Sequence, residues 1–289
     1  MKFKIALGQI TPVTANSDDN RKKMAHYIQE AANRGAKLII FPELALTGYN
    51  CGDIFFNVAE EIPGESCEFF EEEAKNHEIY IVWGMPERGL DGILYNTAVL
   101  VGPEGYIGKW RKHALPGHAT DRIGSGAFPD RRFFKRGTQS PVFDTALGRI
   151  GLLICYDIFY PELVRLLTLK GCDLIVGISG SPSFERNIFE PIVKARAMEN
   201  TIWFAYTNLV GTEGDTEYWG GGCLIAPGDR DTKVPGTILA KAPYTGEGIT
   251  IGEVDLTLTS QFRPLFPVLR DLETEMYRQL LTVHDRIHG

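Results

Sequence analysis

Apolar positions along this chain recur with two periods that take turns, one suited to strands and one to helices. Residues 3–10, FKIALGQI, alternate apolar and polar and predict a strand. In the following segment Met24, Tyr27, Ile28, Ala31 and Ala32 fall on one helical face. Ser17 or Asp18 offers a side-chain oxygen to the free N–H groups at its start, and Gly35 is placed to end it. KLIIFPE (37–43) is a short apolar strand stopped by Pro42, which has no N–H for a ladder. The alternation continues with a helix over 65–77 and strands over 79–85 and 94–102. A return arm over 105–110 turns at Pro103–Gly105. A strand over 149–155 leads to a helix over 161–171 with Pro161 in its first turn. Then come a strand over 173–179, a helix over 189–200, and strands over 201–208, 219–226 and 248–255. A final helix carries Met276, Leu280, Leu281 and Val283 as an apolar stripe.

Helices and strands interleave with no repeat and no low-complexity linker. This predicts one α/β domain over residues 1–289, with helices covering sheet faces. Residues 111–140 show no periodicity. An irregular run of that length inside a compact domain is more often functional than idle.

Composition narrows the function classes. Apolar residues make up 44% and charged residues 23% of the chain, enough for a sizeable core. The formal net charge is −7, and the densest basic patch is KWRKH (109–113), so nucleic acid and anionic membrane surfaces are poor partners. No segment approaches the roughly 20 apolar residues of a membrane helix. The N-terminal apolar stretch is broken by Lys4 and Gln9, which argues against a signal peptide. The five cysteines, Cys51, Cys67, Cys155, Cys172 and Cys223, are scattered and form no CxxC pair. That pattern speaks against a disulfide framework or a zinc site and for a cytoplasmic protein with reduced thiols.

Three residues carry candidate chemistry. Cys155 ends an apolar strand just before a turn into a helix, where a thiolate would sit near free N–H groups. On its own, such a cysteine is more often core. Glu43 follows Pro42 at the carboxyl end of an apolar strand, flanked by Leu44 and Leu46. Desolvation there would raise its pKa toward the range of a general base, although an ordinary solvated Glu fits the same spot. Lys112 stands where a strand runs into the irregular segment, either as a solvated charge or as a group that holds a developing oxyanion. Together they form a chemically coherent set in which Glu43 takes the thiol proton, Cys155 attacks an acyl carbon and Lys112 holds the negative oxygen.

The blocks FPELALTGY, GKWRKHALPG and GLLICYDIFYPE, in this order, resemble the three signature blocks of the nitrilase superfamily of carbon–nitrogen hydrolases. KARAMENTIWFAYTNLVG (194–211) and GEVDL (252–256) are similar to further blocks of that family. The resemblance implies a four-layer α-β-β-α sandwich and a triad of Glu43 as base, Lys112 as stabiliser and Cys155 as nucleophile. It places the Tyr156 N–H in the oxyanion hole and implies no metal or organic cofactor. It also implies a homodimer or a larger assembly of dimers, with residues 257–289 near the interface.

Some details depart from the family pattern. Where many members carry a second glutamate, FPDRRFFKRG offers Asp130, one methylene shorter. An exposed Asp beside Arg131 and Arg132 is the alternative. KHALPGH resembles a loop of N-carbamoyl-D-amino-acid amidohydrolases, but Ile158, Phe159 and Tyr160 stand where those enzymes place arginines for a substrate carboxylate. Arg186 or Arg122 could still supply charge from a loop. True nitrilases follow the cysteine with Trp and Glu, whereas CYD is closer to the amidase and N-carbamoyl branches. The expected substrate is therefore a small linear amide or N-carbamoyl compound, with a nitrile or acyl transfer as alternatives. Tyr49, Phe159 and Ser181 are candidates for the pocket wall or for plain packing.

Overall fold

The computed structural model describes residues 1–90, 92–117, 128, 130–229 and 231–288. The chain opens with strand β1 (Lys2–Gln9), helix α1 (Ser17–Asn33) and strand β2 (Ala36–Ile40). The cap of α1 is Asn16, whose side chain accepts from the Asp19 N–H at 3.1 Å. Ser17 and Asp18, the expected caps, already lie inside the first turn, where a side chain no longer reaches the third N–H. Gly35, at φ +82°, follows the helix as expected. A short helix α2 (Phe55–Val58) precedes α3 (Glu65–His77). Strands β3 (Tyr80–Arg88), β4 (Leu94–Gly102) and β5 (Gly105–Arg111) then form a meander, and α4 (Asp130–Phe133) is a single turn.

The second half begins with β6 (Phe143–Thr145), β7 (Gly148–Ile154), α5 (Pro161–Leu169) and β8 (Leu174–Ser179). Helix α6 (Arg186–Asn200) starts a turn earlier than its apolar pattern indicates and leads to β9 (Trp203–Asn208). A ribbon of β10 (Val210–Glu213) and β11 (Thr216–Trp219) follows, then β12 (Cys223–Gly228), β13 (Pro235–Lys241) and β14 (Gly248–Asp255). The chain closes with α7 (Thr257–Phe262) and α8 (Thr274–His288). The strand expected over 219–226 is in fact two, because Gly220 and Gly221 take φ +57° and +65° and turn the chain between β11 and β12.

The strands form two six-stranded sheets, ordered β14-β1-β2-β3-β4-β5 and β13-β12-β9-β8-β7-β6. Each has a parallel centre, β1-β2-β3 in one and β7-β8-β9 in the other. Alternation along the first sheet explains the layering. Phe3, Ile5, Leu7, Leu38, Ile40, Val82 and Leu100 belong to a core shared with the second sheet. Their neighbours Ala6, Ile39, Ile81, Trp83 and Val99 pack under Met24 and Ile28 of α1 and Phe70 and Ala74 of α3. On the far side, Val164 and Leu167 of α5 and Val193 and Ala197 of α6 complete the shared core against the second sheet. The result is a mixed α/β fold of two large sheets flanked by helices, the α-β-β-α order that the resemblance implied.

Helix α8 departs from this layering. Met276, Leu280, Leu281 and Val283 are 50–62% exposed. No helix among the described residues is long and apolar enough to cross a membrane.

Candidate active site

The parallel strands of both sheets deliver their carboxyl ends to one edge, the position where open α/β sheets place ligands. Beyond β2, the Phe41 N–H donates to the Val82 carbonyl at 2.8 Å and the Gly84 N–H donates to the Pro42 carbonyl at 3.1 Å. The close approach demands glycine at 84, since a Cβ there would stand 2.4 Å from the Leu44 nitrogen and 2.7 Å from the Glu43 Cα. Leu44 adopts φ +50°, and the turn leaves Glu43 with no exposure. Glu43 Oε1 accepts from Lys112 Nζ and Asn96 Nδ2, each at 2.7 Å. Glu43 Oε2 accepts from the Gly180 N–H at 2.7 Å.

Lys112 directly follows β5. Its N–H donates to the Asn96 carbonyl at 2.8 Å, and its carbonyl accepts from the Gly137 N–H at 2.8 Å, so the backbone is pinned on both sides. The ammonium, fully buried, also donates to Asp130 Oδ1 at 2.7 Å. Asp130 opens α4; Phe133 at its end and Phe134 just after it pack tilted and edge-on against Phe55, with ring centroids 5.6 and 5.0 Å away. Its second oxygen accepts from the Tyr49 hydroxyl. Asp130 is thus buried and paired, and the alternative of a solvated Asp does not hold.

Burial opposes the charge on Lys112, but Asp130, Glu43 and Cys155 outweigh it and hold the ammonium well above its ordinary pKa. Burial pushes the Glu43 carboxyl up; Lys112 pulls against that and Asp130 adds to it.

Cys155 directly follows β7 and is 3% exposed. It takes φ +47°, a strained conformation for a side chain with a Cβ, of the kind that clusters at active sites. It opens a 3₁₀ turn over Cys155–Phe159. The first N–H groups of such a turn have no partner within it. Burial and the Glu43 charge push the thiol well above its ordinary pKa, while Lys112 and the Ser179 hydroxyl pull it down. The resting side chain is therefore a thiol, close enough to both charged partners to feel them.

One buried carboxylate ties the thiol turn to the lysine loop. Asp157 Oδ1 accepts from the N–H groups of His113 at 3.0 Å and Ala114 at 2.8 Å. Its Oδ2 accepts from Trp110 Nε1 at 2.8 Å and from the Ile154 N–H at 3.1 Å. The end of β5, the loop after Lys112 and the turn that carries Cys155 are held to the same side chain.

The remaining candidates fall in different places. The Tyr49 side chain is buried and its hydroxyl is committed to Asp130. Phe159 packs its ring between Tyr156 and Phe189, with centroids 5.1 and 5.0 Å away. Ser181 is buried and donates to Glu185 Oε2 at 2.9 Å. Ile158 lies in the core, and Tyr160 is exposed. The Arg186 guanidinium lies over the Tyr244 ring at 4.8 Å. Arg122 lies outside the described residues.

Sequence reasoning missed Asn96, Gly180, Asp157 and Glu185. Asn96 had a signal, a lone amide in the apolar run LYNTAVLVG, and so did Asp157, a carboxylate two residues past the cysteine. A polar group in such a run needs a partner, which marks it for attention.

The paired sheets and the site at their common edge define the class. The profile of the carbon-nitrogen hydrolase family matches residues 4–264. The chain belongs to this family of enzymes. A nitrilase from Pyrococcus abyssi is 33% identical over 95% of this chain and 98% of its own. An omega-amidase from Homo sapiens is 32% identical over 95% of this chain and 96% of its own. Among solved structures, a carbon-nitrogen hydrolase from Helicobacter pylori G27 superposes with a TM-score of 0.87 at 24% identity, covering 97% of this chain and 99% of that one. An amidase from Nesterenkonia sp. gives a TM-score of 0.81 at 24% identity and covers 96% of each chain.

Proposed function

We propose that this protein hydrolyses the C–N bond of a small linear amide or N-carbamoyl compound through a thioester on Cys155. The observation that carries this reading is Lys112 bonded to two buried carboxylates, Glu43 and Asp130, within electrostatic reach of Cys155. Glu43 takes the Sγ proton as sulfur bonds to the acyl carbon, and the carbonyl electrons move onto oxygen. Lys112 and the Tyr156 N–H hold that oxygen. The proton passes from Glu43 to nitrogen, the C–N bond breaks and ammonia or an amine leaves. Water then gives a proton to Glu43 and attacks the thioester, and sulfur departs with a proton. Asp130 keeps Lys112 aimed and charged, and Tyr49 keeps Asp130 in place. No metal or organic cofactor enters any of these steps.

Two relatives support the amide reading in their own right. The human relative is an omega-amidase, and a glutamate-to-glutamine mutant of the Nesterenkonia amidase shows Michael addition of acrylamide at its active-site cysteine. The name of the Pyrococcus relative favours a nitrile as the second reading. Ammonia release from aliphatic amides, aromatic amides, N-carbamoyl compounds and nitriles separates the two. Turnover of amides or N-carbamoyl compounds is expected, and turnover of nitriles alone contradicts the proposal. Product formation that requires an added amine acceptor points to acyl transfer.

The single domain is proposed to assemble as a homodimer, with residues 257–289 contributing contacts through the exposed stripe of α8. A dimer mass by light scattering is expected, and a monomer contradicts it.

A further inference from the structure

Three consecutive residues leave β8 across the site. The Ser179 hydroxyl lies near enough to pull the Cys155 thiol pKa down, the Gly180 N–H donates to Glu43 and Ser181 donates to Glu185. Ser181 itself cannot shift: its N–H donates to Asn208 Oδ1 at 2.7 Å, its carbonyl accepts from Asn208 Nδ2 at 3.0 Å and its hydroxyl accepts from Trp219 Nε1 at 3.2 Å. The Glu185 carboxylate is therefore set beside the reacting groups by a rigid chain. It lies at the start of the 15-residue helix α6, where free N–H groups favour a negative charge.

Glu185 differs from the other acids of the site. Glu43, Asp130 and Asp157 have no exposure, whereas Glu185 is half-buried. Among the described residues it has no salt-bridge partner. Lys112 is committed to Glu43 and Asp130, and Arg186 is stacked on Tyr244. Its charge reaches Cys155 and is felt against Lys112 and Glu43. Next to it in sequence, the exposed Phe184 stands edge-on to Phe128 at 6.5 Å and offers apolar surface beside the turn.

A carboxylate that is part-open, oriented and unpaired in any salt bridge among the described residues attracts positive charge and repels negative charge on an incoming molecule. We propose that Glu185 is a specificity-determining residue that accepts hydrogen bonds from a protonated amine at the far end of the substrate. The substrate class is then a cationic amide or N-carbamoyl amine, with amides of dicarboxylic acids disfavoured. This rests on the amide-hydrolysing reading. Burial raises the Glu185 carboxyl, and a bound cation would relieve that cost.

The test compares three amides of equal length: an ω-amino amide, the plain alkyl amide and the monoamide of a dicarboxylic acid. The ω-amino amide is expected to have the highest kcat/KM and the dicarboxylic monoamide the lowest. Glu185→Gln should cut the ratio of cationic to neutral kcat/KM about tenfold, mostly through KM, since it removes the charge from a charge-assisted hydrogen bond. Glu185→Asp should restore part of that ratio. An unchanged ratio in Glu185→Gln, or a wild-type preference for the anionic amide, overturns the proposal. Binding of the same three molecules to Cys155→Ala protein by calorimetry reads selection without turnover. A cationic preference that Glu185→Gln abolishes supports Glu185 even if no amide releases ammonia, and that second result would count against the amide reading alone. Binding with no charge preference counts against Glu185 alone.

Discussion

The ammonium of Lys112 and the carboxylate of Glu43 meet at 2.7 Å with neither side chain exposed. Asp130 reaches the same ammonium at 2.7 Å. One positive and two negative groups therefore share a buried pocket, and a thiolate on Cys155 would add a further negative charge. Keeping the sulfur protonated until a carbonyl arrives avoids that repulsion. In the proposed mechanism Glu43, its pKa raised by burial, receives the proton when it does.

The pH dependence follows from this arrangement. A base must be unprotonated, so kcat/KM should fall as the pH drops through the Glu43 pKa, which lies above the ordinary carboxylate value of about 4.3. Asp130→Asn removes a negative neighbour that helps to raise Glu43, so the acid limb should move to lower pH. The same change takes away one of the two anchors of Lys112 and should lower kcat about 100-fold. A pH–rate profile of the variant checks both points, and an acid limb that stays put or moves up is the contrary result.

Asp157 holds the Cys155 turn to the Lys112 loop through four donors. In Asp157→Asn, an NH₂ group must face N–H donors and the charge-assisted bonds are lost. Urea unfolding should show a loss of about 3 kcal/mol. Because the turn that carries the thiol loosens, kcat should drop more than KM rises. A variant with wild-type stability and kcat would mean that the four bonds do not position the thiol.

The layered core was legible from the pattern because Ile39, Ile81 and Val99 face one way while Leu38, Val82 and Leu100 face the other. Runs such as KLIIFPE are buried on both faces and stand out from their helical surroundings. Strand β13 was not legible: its burial alternates weakly, and Ile238 and Leu239 lie exposed at a sheet edge. Asn16 was missed as a cap because Ser17 and Asp18 are equally good cap residues by type. At the site, Glu43, Lys112 and Cys155 were legible because each follows a strand inside a block that resembles the family's signature blocks. Asn96 and Asp157 act through contacts 53 and 47 residues away in sequence, which local pattern does not reveal. Glu185 sits in a short 3₁₀ turn with no periodicity to place it.

Gly84 supports Glu43 by having no side chain. Gly84→Ala drives a Cβ into backbone at Leu44 and Glu43, which cannot swing aside as a side-chain tip can. A loss of about 2–3 kcal/mol is expected in chemical denaturation, in line with overpacking of a tight core. Activity should fall further than stability explains at temperatures where the variant stays folded, since displacement of the Glu43 backbone misplaces the base. Wild-type kcat in folded Gly84→Ala protein would show that the turn tolerates the shift.

The most direct measurement traps the acyl group. A slow amide substrate is mixed with the protein, the reaction is quenched in acid, and the adduct is located by intact and peptide mass spectrometry. The expected result is one acyl group on the peptide that contains Cys155, with no adduct and no turnover in folded Cys155→Ala protein. An acyl group on Cys51, Cys67, Cys172 or Cys223 instead, or Cys155→Ala protein that turns over like wild type, would contradict the thioester mechanism.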